Sequence, residues 1–386
     1  MLDDISQAVL ARDEVVRYLQ GVHGENSAEA RERVYAYLDE LRTTQRYRLY
    51  RALQHPLYPI LRKIQRHVEH VDRAIAATAA GRVIYASNHK SHTDYILEPL
   101  ALDDHGVRPP IIAAGINLFG GPLGLLHRHI TGAIPIRRNT KDPAYLITLK
   151  AYVGELLRAH DLLFYIEGGR SYSGELKSPK TGLIHAAMQA GMEDLVILPV
   201  AISYDLVLED RILAGQGVKR RQRLFTRELA EMMRYAIGYR SRAFTTFGDP
   251  IRASEYNAAS RRDVLDLAHR TRVAIGLLYK VTPTALVAAA MRPSIERRDL
   301  ETGIEALLDR LRERKANLAV ESGREAVEFA IRPFERRGVL VVEGGRFRVR
   351  DRMLLRYYAR TIQHLLAPAR VRISPDPDLA PPPAVT

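Results

Sequence analysis

The chain has 386 residues, with no cysteine and no tryptophan, and its 58 Lys and Arg against 45 Asp and Glu give a formal net charge of +13. Missing cysteine excludes disulfides, thiolate nucleophiles and cysteine-ligated zinc or iron–sulfur sites. A hydrophobic share of 46% excludes a largely disordered chain, because a sequence this apolar can bury a core. Three polyanionic partners fit the positive charge: nucleic acid, an anionic membrane surface or a phosphorylated substrate.

The N-terminal segment, residues 1–75, is predicted to be a helical region. Val34, Leu38 and Leu41 recur there at helical spacing. The acidic first residues lack the basic and apolar regions of a signal peptide, so no secretion signal is expected. Between residues 46 and 64, arginines are interleaved with tyrosines. That pattern suits a membrane interface, nucleic acid or, as we favour, a helix pair with a solvated face.

From about residue 80, short apolar runs alternate with amphipathic stretches, which predicts an α/β layer fold over residues 76–282. One helical stripe runs through Leu149 and Leu156, and another through Leu267 and Ile275. In such folds the active residues lie in loops at strand ends. The six predicted strands are residues 83–86, 111–114, 133–136, 162–166, 195–198 and 243–247.

One uncharged stretch, residues 109–126, is long enough to cross a bilayer. Proline and glycine interrupt it throughout, and lipid offers the freed backbone groups no hydrogen-bond partners. We therefore expect a buried strand followed by an apolar loop, leave an interfacial contact open, and predict no transmembrane helix.

After residue 282 the chain is predicted to be mainly helical and rich in arginine, forming a C-terminal subdomain over residues 283–366. A β-hairpin is expected around Gly344 and Gly345, followed by a helix from Met353 to Leu366. Helix, hairpin and cations fit either a winged DNA-binding element or, as we favour, a packing subdomain. Residues 367–386 are proline-rich and are predicted to be a disordered tail.

The densest polar cluster, residues 88–94, directly follows the first strand of the α/β region. His89 and Asp94 can meet if His89 lies in the strand-to-helix loop and Asp94 in the first helical turn. A carboxylate bonded to one imidazole nitrogen makes the other a stronger base, so the pair is a candidate general base. Two alternatives stay open. One is a metal site from His89, His92 and Asp94, whose spacing misses that of binuclear metallohydrolases, and the other is ordinary loop and cap hydrogen bonding.

Two further segments carry groups that suit a phosphate. Residues 132–138 end a strand with the adjacent guanidiniums of Arg137 and Arg138, and arginine binds phosphate oxygens in pairs. Residues 166–171 end another strand with a glycine turn, whose backbone N–H groups can approach the same oxygens. A serine nucleophile elbow is disfavoured there, because the second glycine of residues 169–174 falls one position late.

These blocks together resemble the glycerolipid acyltransferase superfamily. His89 to Asp94 match its H-x4-D motif, Gly132 to Arg138 its second block, Glu167 to Ser171 its third, and the strand ending in Leu198-Pro199-Val200 its fourth. Within the superfamily the chain is similar to glycerol-3-phosphate acyltransferases of the bacterial membrane-bound type, whose third block typically reads Glu-Gly-Gly-Arg. Two departures in the motifs are Lys90, where arginine is usual, and Ile134-Pro135, which replaces an aromatic pair. A third is length, since the chain is much shorter than the familiar enterobacterial enzyme.

The resemblance implies an acyltransferase-type α/β domain, with a mixed sheet flanked by helices, between the N-terminal helical region and the C-terminal subdomain. It implies transfer of a fatty acyl group from acyl-CoA or acyl carrier protein to the sn-1 hydroxyl of glycerol-3-phosphate, giving lysophosphatidate. His89 would be the catalytic base, oriented by Asp94. The implied phosphate-binding residues are Arg137, Arg138, Glu167, Gly168, Arg170 and Ser171.

No cofactor and no metal is expected. We expect a peripheral or monotopic protein on an anionic membrane surface, at the cytoplasmic face, without a nucleic-acid partner. Dihydroxyacetone phosphate or lysophosphatidate as the acyl acceptor stays open. So does a different class of protein, a basic membrane- or nucleic-acid-binding module without catalysis.

Overall fold

The computed structural model describes residues 3–21, 27–49, 52, 64–119, 132–219 and 241–367. Within these ranges the helices are α1 (Asp4–Leu10), α2 (Asp13–Leu19), α3 (Ser27–Leu41), α4 (Val71–Ala80), α5 (Asp94–Asp103), α6 (Pro143–Ala159), α7 (Gly182–Met188), α8 (Asp210–Lys219), α9 (Arg261–Leu278), α10 (Pro283–Ala290), α11 (Arg297–Glu313), α12 (Gly323–Arg336), α13 (Arg352–Thr361) and α14 (Gln363–Leu366). The strands are β1 (Ile64–Glu69), β2 (Val83–Ser87), β3 (Ile111–Gly115), β4 (Ala133–Ile136), β5 (Leu162–Tyr165), β6 (Val196–Tyr204), β7 (Ser241–Phe247), β8 (Ile251–Arg252), β9 (Lys280–Val281), β10 (Ser294–Glu296), β11 (Asn317–Leu318), β12 (Leu340–Glu343) and β13 (Arg346–Val349).

The central sheet has eight strands in the order β1-β7-β6-β2-β5-β3-β4, with β8 paired to β6. Strand β6 runs antiparallel to β7 and β8, whereas the other neighbouring strands are parallel. The expected fold, a mixed sheet flanked by helices, is confirmed. Because β2, β3, β4 and β5 are parallel, their carboxyl ends meet at one edge, and every segment with predicted site residues leaves the sheet there.

The sheet buries apolar side chains on both faces, since successive residues of a strand point to opposite sides. Val83 and Tyr85 of β2 belong to a buried cluster that includes Ala74 of α4. The intervening Ile84 and Ala86 belong to a larger cluster that includes residues of α3, α6 and α9. Burial on both faces explains why the β2 sequence is a continuous apolar run rather than an alternating one.

The six predicted strands are all present, and β6 is longer than predicted because it continues to Tyr204. The prediction that residues 1–75 are helical is wrong at β1, which pairs in parallel with β7 at the edge of the sheet. Only Ile64 of β1 is fully buried, and residues 65–67 are exposed. An edge strand with so little apolar content gives no alternating pattern, and charges are ordinary on such edges.

The C-terminal elements follow the order of a winged helix: α10, β10, α11, α12 and then the hairpin β12–β13, with β10 also paired to β13. The predicted hairpin is confirmed, and Gly344 and Gly345 turn it with φ of 58° and 76°, the positive values that a two-residue turn of this kind requires. The predicted helix over residues 353–366 is divided between α13 and α14. Three arginines in or directly after the hairpin pair with Glu296 or Glu343; they are Arg346, Arg348 and Arg350. The choice between a DNA-binding element and a packing subdomain stays a prediction.

Three predictions fall wholly or mainly outside the described residues: the arginine–tyrosine segment over 46–64, the apolar loop after β3 over residues 120–126, and the tail from residue 368. Among the described helices, none is both long enough and apolar enough to span a bilayer. The domain boundaries at residues 75, 282 and 366 stay predictions.

Candidate active site

The site begins where β2 ends, and Asn88 fixes the path of the chain there. Its side-chain amide donates to the carbonyl of Ile202 at 2.9 Å and accepts from the Ile202 N–H at 2.7 Å. The amide therefore pairs with β6 as one more strand residue would, although the backbone has already turned into a loop. His89 follows directly, on a loop that is held to the sheet at its first residue.

His89 lies in this loop and Asp94 is the first residue of α5, as the spacing predicts. His89 Nδ1 is 2.8 Å from Asp94 Oδ2. The same oxygen accepts the backbone N–H groups of Lys90 at 2.7 Å and Ser91 at 2.9 Å, while Oδ1 accepts the Tyr204 hydroxyl at 2.6 Å. Four donors around a buried carboxyl are what an anionic carboxylate needs. His89 therefore donates from Nδ1, and Nε2 carries the free lone pair.

Burial lowers the pKa of His89, and the neighbouring Asp94 opposes that shift while Arg170 and His92 add to it. A lowered pKa keeps the imidazole neutral near pH 7, which is the state that can accept a proton. The Tyr165 ring lies parallel to the imidazole, with ring centroids 3.9 Å apart and planes 9° apart. The ring plane of His89 is thus set by Tyr165 and its tautomer by Asp94.

A second carboxyl, that of Glu98, is buried one helical turn beyond Asp94. It accepts the Ser87 hydroxyl through Oε1, and burial together with the charge of Asp94 raises its pKa well above the usual range. Asp94 thus accepts four hydrogen bonds, whereas the raised pKa of Glu98 favours its protonated form.

A cavity of about 520 Å³ opens beside His89, at the carboxyl edge of the sheet. One part of its wall is apolar and includes Ile112, Leu149 and Phe164. The other part is polar and includes Arg138 and Lys180. A space with an apolar wall, cations and a base at its rim can hold a molecule that is both acylated and phosphorylated.

The guanidinium of Arg138 sits between two glycines. A Cβ atom on Gly115 would lie 2.8 Å from Arg138 Nη2, and one on Gly169 would lie 3.4 Å from Nη1. Gly115 ends β3 and Gly169 follows β5, so both strand ends leave room for this side chain. In the part of the chain that the structure describes, Arg138 and Lys180 form no ion pair with a carboxylate, and both line the cavity.

Arg137 also lines the cavity, but α3 holds its guanidinium. Arg137 donates from Nε to Glu40 at 2.8 Å and pairs with the same carboxylate through Nη2. Its guanidinium carbon lies 4.9 Å from the ring centre of Tyr37. Of the two adjacent arginines, Arg138 is therefore the one with its charge directed to the cavity, and Arg137 shares its charge with Glu40.

Four predicted phosphate-binding residues remain, and one of them lines the cavity while three do not. Gly168 lines it, with a positive φ of 69°. Glu167 is buried and accepts the backbone N–H groups of His89 and of Lys177. Ser171 is buried, and its hydroxyl donates to the Glu175 carbonyl at 2.6 Å. Arg170 is buried too and lies 3.5 Å from Glu209. These three side chains connect the loops of the site to one another.

Lys90, which stands where the resembled family usually has arginine, also connects loops. Its Nζ donates to the Gly174 carbonyl at 2.7 Å and lies 4.9 Å from the ring centre of Tyr279. Burial lowers the pKa of Lys90 to about 8. The substitution therefore falls at a position that packs behind the site.

The structure adds Glu209, which the sequence reasoning missed. Its carboxylate is fully buried and accepts the Ser91 hydroxyl at 2.8 Å and the His92 N–H at 2.6 Å. The sequence does contain a signal for Glu209, because this carboxylate directly follows the apolar run of residues 206–208. A carboxylate buried with such a run needs hydrogen-bond or charged partners. Nothing in the sequence says that its partners lie more than a hundred residues away.

The metal alternative finds no support in the described ranges, where no three His, Cys, Asp or Glu side chains are grouped so that they could hold an ion. The Nδ1 atom of His89 faces Asp94 at hydrogen-bond distance. The ordinary loop and cap hydrogen bonds are present as well. Residues 88–94 therefore show both the geometry of a candidate general base and ordinary loop hydrogen bonding.

Comparison with known proteins finds similarity to acyltransferases in this region. Residues 63–203 match the family model described as Acyltransferase. A glycerol-3-phosphate acyltransferase of Aeromonas hydrophila subsp. hydrophila is 32% identical over 239 residues, which cover 59% of this chain and 29% of that protein. One from Actinobacillus succinogenes is 36% identical over 200 residues, covering 49% of this chain and 24% of that protein. The chain thus aligns with less than a third of the length of either relative.

Among solved structures, the crystal structure of the 1-acyl-sn-glycerophosphate (LPA) acyltransferase PlsC from Thermotoga maritima gives a TM-score of 0.33 at 14% identity. The superposition covers 70% of this chain and 91% of that one.

Proposed function

We propose that this chain transfers a fatty acyl group from an acyl thioester, acyl-CoA or acyl carrier protein, to the sn-1 hydroxyl of glycerol-3-phosphate. The observation that carries the proposal is the His89–Asp94 pair at the rim of a cavity that also contains Arg138 and Lys180. The relatives named glycerol-3-phosphate acyltransferase support the choice of acceptor. The product is lysophosphatidate.

In the proposed reaction, His89 Nε2 takes the proton of the acceptor hydroxyl while that oxygen attacks the thioester carbonyl carbon. A tetrahedral intermediate forms, and its C–S bond then breaks. The leaving thiolate recovers the proton from the imidazolium, so the products are the glycerol ester and a free thiol. Asp94 stabilises the imidazolium through Nδ1–H. Positioned general bases of this kind contribute rate factors of about 10² to 10⁴.

Binding of the acceptor phosphate is assigned to Arg138 and Lys180, with Arg137 as a second arginine that shares its charge with Glu40. Gly168 keeps the wall of the cavity free of a side chain. A hydrogen bond to a charged group contributes about 1.5–3 kcal/mol. Loss of Arg138 should therefore raise the apparent KM for glycerol-3-phosphate about 10- to 100-fold.

The test is an acceptor panel with the purified protein: glycerol-3-phosphate, dihydroxyacetone phosphate, lysophosphatidate and glycerol, each with acyl-CoA and with acyl carrier protein. Thiol release and mass spectrometry of the product are measured. We expect product with glycerol-3-phosphate, loss of it in His89→Ala, and a raised KM in Arg138→Met. Arg346→Met, which removes a charge paired with Glu296, is the matched control and should keep the wild-type KM. Wild-type protein that releases no thiol with any acceptor would refute the proposal.

We further propose that the cavity opens toward an anionic membrane surface, with the protein peripheral to its cytoplasmic face. Two apolar side chains at the cavity are partly exposed: Ile116 beside it at 39% and Leu146 on its wall at 38%. Arg137 and Arg138 line the same cavity as Leu146. Apolar and cationic groups at one mouth suit an acyl chain that arrives from anionic lipid. Co-sedimentation should increase with phosphatidylglycerol content. Equal binding to pure phosphatidylcholine vesicles, or salt-sensitive binding to DNA instead, would contradict it.

A further inference from the structure

We propose that helix α3 positions the loop of residues 137–142, here called the phosphate loop, and that its Glu40 orients Arg137 for the phosphate of the acyl acceptor. The inference rests on the proposed acyl transfer, because it concerns the acceptor subsite of that reaction. The phosphate loop connects β4 to α6, and four of its residues line the cavity: Arg137, Arg138, Asn139 and Thr140. Helix α3 belongs to the N-terminal helices, before the first strand of the central sheet.

Two adjacent rows of side chains on α3 face different parts of the molecule. One row is fully buried in the core: Val34, Leu38 and Leu41. The row one position earlier along the chain is polar: Arg33, Tyr37 and Glu40. Members of each row share one face of the helix, because they are spaced four and three residues apart. All three polar side chains bond to the phosphate loop, so a helix that is fixed by the core holds a loop at the cavity.

Glu40 holds the first residue of the phosphate loop. Its carboxylate accepts from Arg137 Nε at 2.8 Å and from Nη2 at 2.5 Å. The Arg137 guanidinium also lies 4.9 Å from the ring centre of Tyr37 and 5.7 Å from that of Tyr145. The Tyr145 hydroxyl accepts the backbone N–H of Arg137 at 2.8 Å. Both the backbone and the side chain of Arg137 are therefore fixed.

The bonds to Glu40 use one edge of the guanidinium and leave another for an anion. A guanidinium carries its N–H donors in one plane, and Glu40 takes the edge formed by Nε and Nη2. No residue in the described part of the chain bonds to Nη1 of Arg137, and Arg137 lines the cavity. The pair thus orients Arg137 and leaves its outer donors for a phosphate, which arginine can bind through two N–H groups at once.

Asp142, the last residue of the phosphate loop, is held by the same helix. One of its carboxylate oxygens accepts from Arg33 and the other from the Tyr37 hydroxyl. The carboxylate also caps α6, because it accepts the Ala144 N–H at 3.0 Å. Burial acts to raise the pKa of Asp142, but the Tyr37 hydrogen bond and the Arg33 charge outweigh it and keep that pKa below its usual value. Both ends of the phosphate loop are therefore tied to α3 at neutral pH.

Glu40 has two opposite effects on phosphate binding. Its negative charge weakens the attraction for an anion, but its hydrogen bonds hold an arginine side chain that is 40% exposed. A phosphate beyond the guanidinium would lie about 8 Å from the Glu40 carboxylate, two contact distances of about 4 Å. At about that distance in water and at physiological salt, one charge changes an affinity less than about twofold. Ordering a free arginine at each binding event weakens affinity by up to about tenfold, so the orienting effect should outweigh the charge effect.

The test compares Glu40→Gln with the wild type at about 0.15 M salt. We expect the KM for glycerol-3-phosphate, and its Kd measured by calorimetry, to rise at least about threefold while kcat stays within about twofold. The amide has the shape of the carboxylate and the position is at the surface, so the variant should fold, and its melting temperature checks this. Glu296→Gln, which removes the partner of Arg346 on the hairpin, is the matched control and should keep the wild-type KM.

A double-variant cycle separates positioning from general loss of packing. Arg137→Met should raise KM at least as much as Glu40→Gln does. In the Arg137→Met background, Glu40→Gln should add less than about twofold, because Glu40 acts through Arg137. General loss of packing would instead lower kcat and add to the effect of the arginine variant.

Three results overturn the inference. A KM that falls in Glu40→Gln would mean that Glu40 only neutralises Arg137, and a KM within about threefold of the wild type would mean that Arg137 needs no orientation. Effects of the two substitutions that add in full would mean that Glu40 does not act through Arg137. Wild-type protein that neither binds glycerol-3-phosphate nor releases thiol refutes the proposed function itself, so the two failures are distinct.

Discussion

Replacing Asp94 by asparagine removes the charge beside His89 and keeps the shape of the side chain. Asp94 Oδ2 accepts three hydrogen bonds, from His89, Lys90 and Ser91, whereas Oδ1 accepts one from Tyr204. An amide fits with its oxygen at the Oδ2 position and its NH₂ group toward Tyr204, because a hydroxyl can turn and accept. The variant should fold and should keep the proton of His89 on Nδ1.

The effect that remains is electrostatic, and it acts on the imidazolium that forms in the proposed transition state. Hydrogen bonds to a charged acceptor contribute about 1.5–3 kcal/mol. His89 and Asp94 are both buried, so we expect the lost stabilisation to lie near the upper end of that range. It corresponds to a fall in kcat of about 10²-fold. The sign of the pH effect follows as well. Asp94 raises the pKa of His89 against burial, so the asparagine variant has a lower pKa and an acid limb at lower pH.

The measurement is lysophosphatidate formation by stopped assay across pH 5–9, with thermal melting as the folding control. Tyr204→Phe is the matched variant, since it removes the donor to Oδ1 and leaves the charge in place. It should lose less than about fivefold in kcat. An Asp94→Asn protein that melts like the wild type and retains its full rate would refute the role given to the pair. An acid limb that moves to higher pH would contradict the electrostatic argument.

Two further predictions follow from neighbouring features. Glu98→Gln should gain stability relative to the wild type as pH rises from 5 to 8. The raised pKa of Glu98 means that the folded wild type binds more protons than the unfolded chain. The stability of the wild type therefore falls as pH rises, by up to about 1.4 kcal/mol per pH unit above the ordinary glutamate pKa. A gap in melting temperature that does not widen from pH 5 to pH 8 would show that Glu98 is ionised. Gly115→Ala should raise the KM for glycerol-3-phosphate about tenfold, because its Cβ would lie 2.6 Å from Asn117 Oδ1 and 2.8 Å from Arg138 Nη2 and would displace the guanidinium. Gly303→Ala, whose Cβ would meet only Ala290 at an ordinary 3.8 Å, is the control, and equal kinetics in both variants would exclude the steric effect.

The sheet was predictable because its central strands are buried on both faces and appear as apolar runs, as residues 83–86 and 162–166 do. The strand β1 was not, because it forms an edge and takes its stability from β7, about 180 residues further along the chain. Local patterns report whether a residue is buried. They do not report which distant strand will pair with a polar one.

The candidate site divides in the same way. The spacing of His89 and Asp94 predicts their contact, since both lie within one loop and one helical turn. Long-range contacts set the rest: the pairing of Arg137 with Glu40 and of Arg170 with Glu209 joins segments that the sequence keeps far apart. A residue type therefore indicated which chemistry a side chain could do, and the partner across the fold decided whether it is directed to the cavity.

The distribution of charge follows from these pairings. A net charge of +13 suggested polyanion binding over the whole chain, but many arginines in the described ranges pair with carboxylates, including those of the hairpin. At the cavity, Arg138 and Lys180 line the wall without such a pair to any residue that the structure describes. Because an exposed ion pair largely neutralises its own field, the local unpaired charge predicts an anionic ligand better than the total does. On this argument, removing Arg138 should weaken acceptor binding more than removing Arg346 does, although both substitutions change the net charge by the same amount.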